Sequence, residues 1–174
     1  MSDEGSAVNQ LLDGLVYDPD SGSLSLQSAR YMMVRPTLFV ELQKSIESAL
    51  GHEAADILSQ TAAEEGVALA GRLRNVFGYP PDQVLSTVAF VLSESGWGAV
   101  HVEMANLEGR ELVIKVIESP FADAYGPSTQ SVCHTLLGTL RGVAMTIFDS
   151  NATGLEVQCA AKGDTCCRFV VSAS

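Results

Sequence analysis

Gly154-Leu155-Glu156-Val157-Gln158-Cys159, then residues 160–165, then Cys166-Cys167-Arg168-Phe169-Val170-Val171, is the stretch that decides the fold of this 174-residue chain. It reads as a β-hairpin. Leu155, Val157 and Cys159 alternate with polar Glu156 and Gln158, the period of a half-buried strand. Lys162-Gly163-Asp164-Thr165 supplies turn residues, and Phe169-Val170-Val171 has the aromatic and β-branched content that strands prefer. Gly163 lies midway between Cys159 and Cys167, so a symmetric hairpin sets those two thiols roughly opposite each other. Cys133 stands 26 residues before Cys159, in a stretch of helical periodicity, and all four cysteines fall in the last quarter of the chain.

Opposed thiols on a hairpin can converge on a soft metal ion, and Zn²⁺ takes Cys sulfur and carboxylate oxygen in closed four-coordinate sites. Cys133, Glu156, Cys159 and Cys167 would make such a Cys₃Glu set. Buried free thiols acting as small hydrophobes, or a Cys159–Cys166 or Cys159–Cys167 disulfide, are the alternatives. The spacing is not a CxxC…CxxC pattern. A flat strand also sends Glu156 and Cys159, three apart, to opposite faces, so the set requires a bulge or a reaching carboxylate. Cys166 adjoins Cys167, and an irregular hairpin leaves open which of the two is the ligand.

Glu156-x-x-Cys159-x₇-Cys167-Arg168-Phe169, with Cys133 upstream, resembles the 4-vinyl reductase domain family over roughly residues 30–172. The last forty or so residues carry the specific motifs. The resemblance implies a TRAPP-like ligand-binding fold, generally dimeric. It also implies a small-molecule-binding module of the kind found in phenol- and xylene-responsive transcription activators, in a protein of bacteriochlorophyll synthesis and in stand-alone proteins. In the phenol sensors three Cys and one Glu hold zinc, and the matching positions here are Cys133, Glu156, Cys159 and Cys167.

A net charge of −11 with no Lys/Arg cluster argues against nucleic acid as a direct ligand and against anionic membrane surfaces. Hydrophobic residues make up 47% of the chain, and mean hydropathy is +0.19, enough for a large core or an apolar cavity. The N-terminal residues are acidic and polar, no run reaches membrane-span length, and the cysteines do not form a secreted disulfide pattern. The expected location is therefore the reducing cytoplasm.

Residues 1–12 read as a flexible tail and 13–174 as a single domain. Leu15–Tyr17 and Leu24–Leu26 flank a turn-rich loop, and Tyr31 to Val34 is a short apolar strand. Helices are expected from Pro36 to Ala49 with Leu38, Leu42 and Ile46 buried, from His52 to Phe77, and from Pro80 onward with Val84, Leu85, Val88, Val91 and Leu92 inward. Val100, Val102 and Met104 pair with Leu112, Ile114 and Val116 across a turn at 106–109. Residues 119–127 form an irregular connection that either covers a pocket mouth or lies on the surface. Ser128 then caps a last helix whose second turn holds Cys133 and whose Gly138 and Gly142 suit close backbone packing. The fold class is α+β, an antiparallel sheet packed against several helices.

Trp97, Phe121 and Tyr125 are the candidate ligand-binding residues, since ring stacking and an indole N–H suit an aromatic guest. Trp97 as plain core is the stronger reading of that residue. His134 adjoins Cys133; His101 and His52 read as surface. No Ser/His/Asp order, phosphate loop, HExxH or nucleotide fingerprint is present, so enzymatic activity has no support. The expected function is zinc-stabilised binding or sensing of a small hydrophobic or aromatic molecule, in a homodimer with no membrane span. A (bacterio)chlorophyll-pathway 4-vinyl reductase component or tetrapyrrole carrier, and an interaction module relaying a signal to a separate regulator, are the other two readings.

Overall fold

A computed structural model describes residues 9–26 and 29–174. The expected tail falls largely on residues 1–8, outside the described residues; Asn9 caps a four-residue helix α1 (Gln10–Asp13) by accepting the Leu12 N–H. The chain forms two compact units, one ending at Val34 and the other Arg35–Ser174. The first carries the small antiparallel sheet β1 (Leu15–Asp18), β2 (Ser23–Leu26) and β3 (Ala29–Tyr31). Asp18 and Ser21 close its first turn, with Gly22 at φ +63.

The second unit runs α2 (Pro36–Leu50), α3 (Glu53–Asn75), α4 (Pro81–Glu94), β4 (Ala99–Asn106), β5 (Glu111–Ile117), α5 (Pro120–Tyr125), α6 (His134–Phe148), β6 (Ala152–Gln158) and β7 (Cys167–Ala173). Proline opens α2, α4 and α5, where its missing N–H costs nothing. The four strands form an antiparallel sheet in the order β4-β5-β7-β6. Leu112, Ile114 and Val116 of β5 and Cys167, Phe169 and Val171 of β7 are fully buried on its inner face. Against that face lie α4 (Val84, Leu85, Val88, Leu92) and α6 (Leu136, Leu140, Val143, Ala144, Ile147). These residues make one continuous core, and the α+β class expected from the pattern is the architecture found.

Helix α3 packs on α6 through glycine. A Cβ on Gly66 would stand 2.1 Å from the Thr139 carbonyl oxygen, one on Gly138 2.2 Å from Ser59 O, and one on Gly142 2.0 Å from Ala63 O. The two backbones therefore touch, and no residue larger than glycine fits at these three positions.

Four expectations need correction. In α2 the buried positions are Val40 and Gln43, while Leu38 and Leu42 are more than half exposed. The 119–127 segment is not irregular, because α5 forms there with Phe121 and Ala122 buried. Cys133 is not in a second helical turn: it is the N-cap of α6. Upstream of it, the Ser128 hydroxyl bonds both the N–H and the carbonyl of Gln130, which diverts the backbone from helix. Finally, Leu155 (70% exposed) and Val157 face outward while Glu156 faces inward, the reverse of the expected phase in β6.

Candidate metal centre and adjoining cavity

A bulge in β6 sets the geometry. Glu156 pairs with buried Phe169 and Gln158 pairs with outward Arg168, so Val157 is the extra residue between them. Without it Glu156 and Cys159 would face opposite sides; with it both point inward. A short 3₁₀ turn (Ala160–Lys162) and Gly163 at φ +94 then return the chain to β7. The Asp164 carboxylate fixes this turn by accepting the Cys159 N–H at 2.8 Å.

These elements bring Cys133, Glu156, Cys159 and Cys167 together, with one donor atom from each lying within 4.8 Å of the others. The three thiols are fully buried. Cys133 Sγ and Cys167 Sγ stand 3.6 Å apart, close to the edge of about 3.8 Å expected of a tetrahedron with 2.3 Å metal–sulfur bonds. Glu156 Oε2 accepts the Cys133 N–H at 3.0 Å. Among the described residues, Glu156 Oε1 is the buried side-chain polar atom without a hydrogen-bond partner. A buried carboxylate oxygen left open beside three sulfurs is the arrangement a divalent cation completes.

The electrostatics agree. Burial first, and then the Cys159 sulfur, push the Glu156 carboxyl up to about 7. Cys159 is held far below the usual thiol range because Cys133 and Cys167 both donate to it. Donation to Cys159 likewise drives Cys133 far up, helped by its bond with Cys167 and by burial. Cys167 ends at about 12: its bond from Cys133 pulls it down, and donation to Cys159 and burial outweigh that. The cluster thus concentrates negative charge where water cannot reach it, and a cation relieves that cost. Three sulfurs and one oxygen in a closed tetrahedral set suit zinc. Cys133, Glu156, Cys159 and Cys167 would be its ligands.

Around the cluster, Ser119 is buried with Oγ 3.5 Å from Cys133 Sγ, and the Ala160 N–H donates to Cys167 Sγ at 3.4 Å. Cys166 is also buried, but its sulfur lies 3.9 Å from Gln158 Oε1 and outside the cluster. Sequence reasoning missed Gln43 and Glu47, spaced i,i+4 on the inner side of α2. Gln43 Nε2 donates to Val132 O (2.9 Å) and to Glu47 Oε1 (2.8 Å), while Glu47 Oε2 accepts the Tyr125 hydroxyl (2.7 Å). Together they tie α2 to both ends of the segment leading into Cys133. A polar pair amid an otherwise leucine-rich repeat was the signal available. His134 Nε2 is 3.8 Å from Glu47 Oε1, and burial depresses its pKa.

Of the candidate ligand-binding residues, Trp97 and Phe121 meet edge to face with centroids 5.1 Å apart. Tyr125 instead engages α2, with Lys44 Nζ 4.8 Å over its ring and its hydroxyl on Glu47, which raises it to about 12. A cavity of about 590 Å³ opens between α5 and the β6–β7 turn. Ser119, Ala122, Gly126, Ala160, Gly163 and Lys162 are among its lining residues. Glu118, also on its wall, holds a left-handed backbone at φ +56.

A helix-backed antiparallel sheet of this kind is shared with ligand-sensing and trafficking proteins of known structure. Residues 112–173 match the 4-vinyl reductase domain family. The phenol-responsive sensory domain of the transcription activator PoxR, solved with phenol, superposes with a TM-score of 0.80 at 18% identity, covering 97% of this chain and 91% of that one. A vinyl-4-reductase family protein from Methanocaldococcus jannaschii superposes with a TM-score of 0.58 at 16% identity over 85% of each chain. Trafficking protein particle complex subunit 3 from Naegleria fowleri, covalently bound to palmitic acid, gives 0.58 at 13% identity over 80% of this chain and 95% of that one. No curated protein matches the sequence. The fold expected from the hairpin motif, including its TRAPP-like character, is the fold these structures share.

Proposed function

We propose that this chain is a zinc-stabilised domain that binds and senses a small hydrophobic or aromatic molecule. The observation that carries the reading is the Cys₃Glu cluster with its partnerless Glu156 oxygen, set in a fold shared along nearly the whole chain with a phenol-responsive sensory domain. When bound, zinc would supply a cross-link between the start of α6 and the β6–β7 hairpin, holding the fold without an open coordination position. Trp97 and Phe121 offer the aromatic surface for a guest, and Tyr125 closes the same region through α2. Four unpaired cysteines suit a reducing cytoplasm. None of the described helices is long and apolar enough to cross a membrane.

Metal analysis combined with native mass spectrometry of chelator-free protein tests this reading. One zinc per chain and a co-purified small-molecule mass are expected; a metal-free, reduced and fully folded chain would sink it. A second reading, a homodimeric module relaying a signal to a separate regulator, draws support from α2. Leu38, Phe39, Leu42 and Leu50 lie exposed along that helix while Gln43 is buried, so its apolar stripe faces away from its own core. Light scattering on wild type and Leu42→Asp separates the two readings: a dimer broken by the substitution supports the module, and a monomer in both removes it.

A further inference from the structure

We infer that Cys133 and Cys167 form an oxidisable thiol pair, which hydrogen peroxide reaches through the cavity beside α5 and converts to a disulfide. Both sulfurs lie directly behind the wall of that cavity. Ser119 and Ala160 line it; the Ser119 hydroxyl is 3.5 Å from Cys133 Sγ, and the Ala160 N–H is 3.4 Å from Cys167 Sγ. The space admits water-sized molecules, and a peroxide is little larger. The two sulfurs are already 3.6 Å apart, so bonding at the usual S–S length of about 2.05 Å asks for a further approach of about 1.5 Å. The segment that must yield is the turn between Cys159 and Cys167, a single 3₁₀ turn and a left-handed Gly163 on the cavity side.

The chemistry closes without another reactant. One thiolate attacks a peroxide oxygen, giving a sulfenic acid and hydroxide; the second thiol displaces the sulfenic oxygen as water, leaving the disulfide. In total two thiols and one peroxide give one disulfide and two waters. Cys166 is no competitor, because its sulfur is directed at Gln158. The disulfide also removes two of the four donors proposed for zinc, so metal and disulfide exclude each other. That second half rests on the zinc reading, whereas the oxidation itself does not.

The test uses the whole chain, reduced and desalted, then exposed to hydrogen peroxide with a chromophoric chelator present. Remaining thiols are blocked and the cysteine peptides mapped by mass spectrometry. Two of the four thiols should disappear, a Cys133–Cys167 cross-linked peptide should appear and be reversed by dithiothreitol, and Cys166→Ser should behave as wild type. Metal release in step with the cross-link supports both halves. A cross-link in protein isolated without metal supports the oxidation and removes the zinc reading. Cross-links through Cys166, links between chains, or sulfonic acids without a cross-link overturn the inference.

Discussion

Gly142→Ala is the sharpest test of how α6, and with it Cys133, is held. The added Cβ would lie 2.0 Å from the Ala63 carbonyl oxygen and 2.7 Å from the Val67 nitrogen, both backbone atoms that cannot rotate away. Restoring ordinary contact at 3.4 Å moves one helix backbone off the other by about 1.4 Å. Overpacking of this kind costs about 3 kcal/mol, and the better helix propensity of Ala returns about 1 kcal/mol, leaving a loss of about 2 kcal/mol. For a domain of this size that lowers Tm by roughly 4–8 °C. Gly71 on the facing helix α3 is the internal control, since its Cβ would meet nothing nearer than Asn75 Nδ2 at 3.9 Å. Gly71→Ala should gain about 1 kcal/mol and raise Tm by roughly 2–4 °C. Because Cys133 caps the same helix, Gly142→Ala should also release metal faster to a chelator, and Gly71→Ala should not. Thermal melts of the two variants decide it: a Gly142→Ala protein as stable as wild type would mean the crossing is looser than the structure has it.

Cys159→Ser removes the sulfur that the other two thiols donate to; it should abolish metal retention and destabilise by about 4 kcal/mol or more, read by melting and metal analysis. Cys166→Ser, outside the cluster, should keep both metal and stability. Chelator treatment of wild type should lower Tm toward that of Cys159→Ser and leave the Cys159→Ser melt unmoved. Tyr125→Phe should cost about 1 kcal/mol at neutral pH by deleting the bond to Glu47. Tyr125 is raised from 10.0 to about 12 in the fold, so its stabilisation is complete below pH 10 and lost as pH climbs through 12. The gap between wild-type and Phe melts should therefore close over that interval; a constant gap would remove the Glu47 bond as its cause.

The sheet, the order of its strands and the four clustered residues were legible because each rests on a local pattern. Val84, Leu85, Val88 and Leu92 repeat as a helix face and are buried as one, and the glycines at 138 and 142 do mark a backbone contact. What was not legible depends on partners distant in sequence. Leu38 and Leu42 read as core because nothing local reveals that Val132 and Tyr125 offer polar groups to the same helix, which draws Gln43 and Glu47 inward instead. The helical reading of 128–133 failed for a related reason. The Ser128 N–H bonds Ala161 O in the hairpin turn, a contact 33 residues away that periodicity cannot see.

The inverted phase of β6 shows which energy term decides such a segment. Turning Leu155 outward forgoes about 1.5–3 kcal/mol of burial, and a reading built on hydrophobic alternation therefore puts it inside. The opposite choice brings Glu156 and, through the extra residue Val157, Cys159 to the inner face beside Cys133 and Cys167. Structural zinc centres contribute on the order of 10 kcal/mol at neutral pH, several times what the exposed leucine forgoes. The same inward turn with no cation would bury a carboxylate held at about 7 and a cluster of thiols competing for one another's protons. Exposed Leu155 and the open Glu156 oxygen are thus two sides of one trade, and both favour a strand whose orientation is set by its ligands rather than by its apolar residues.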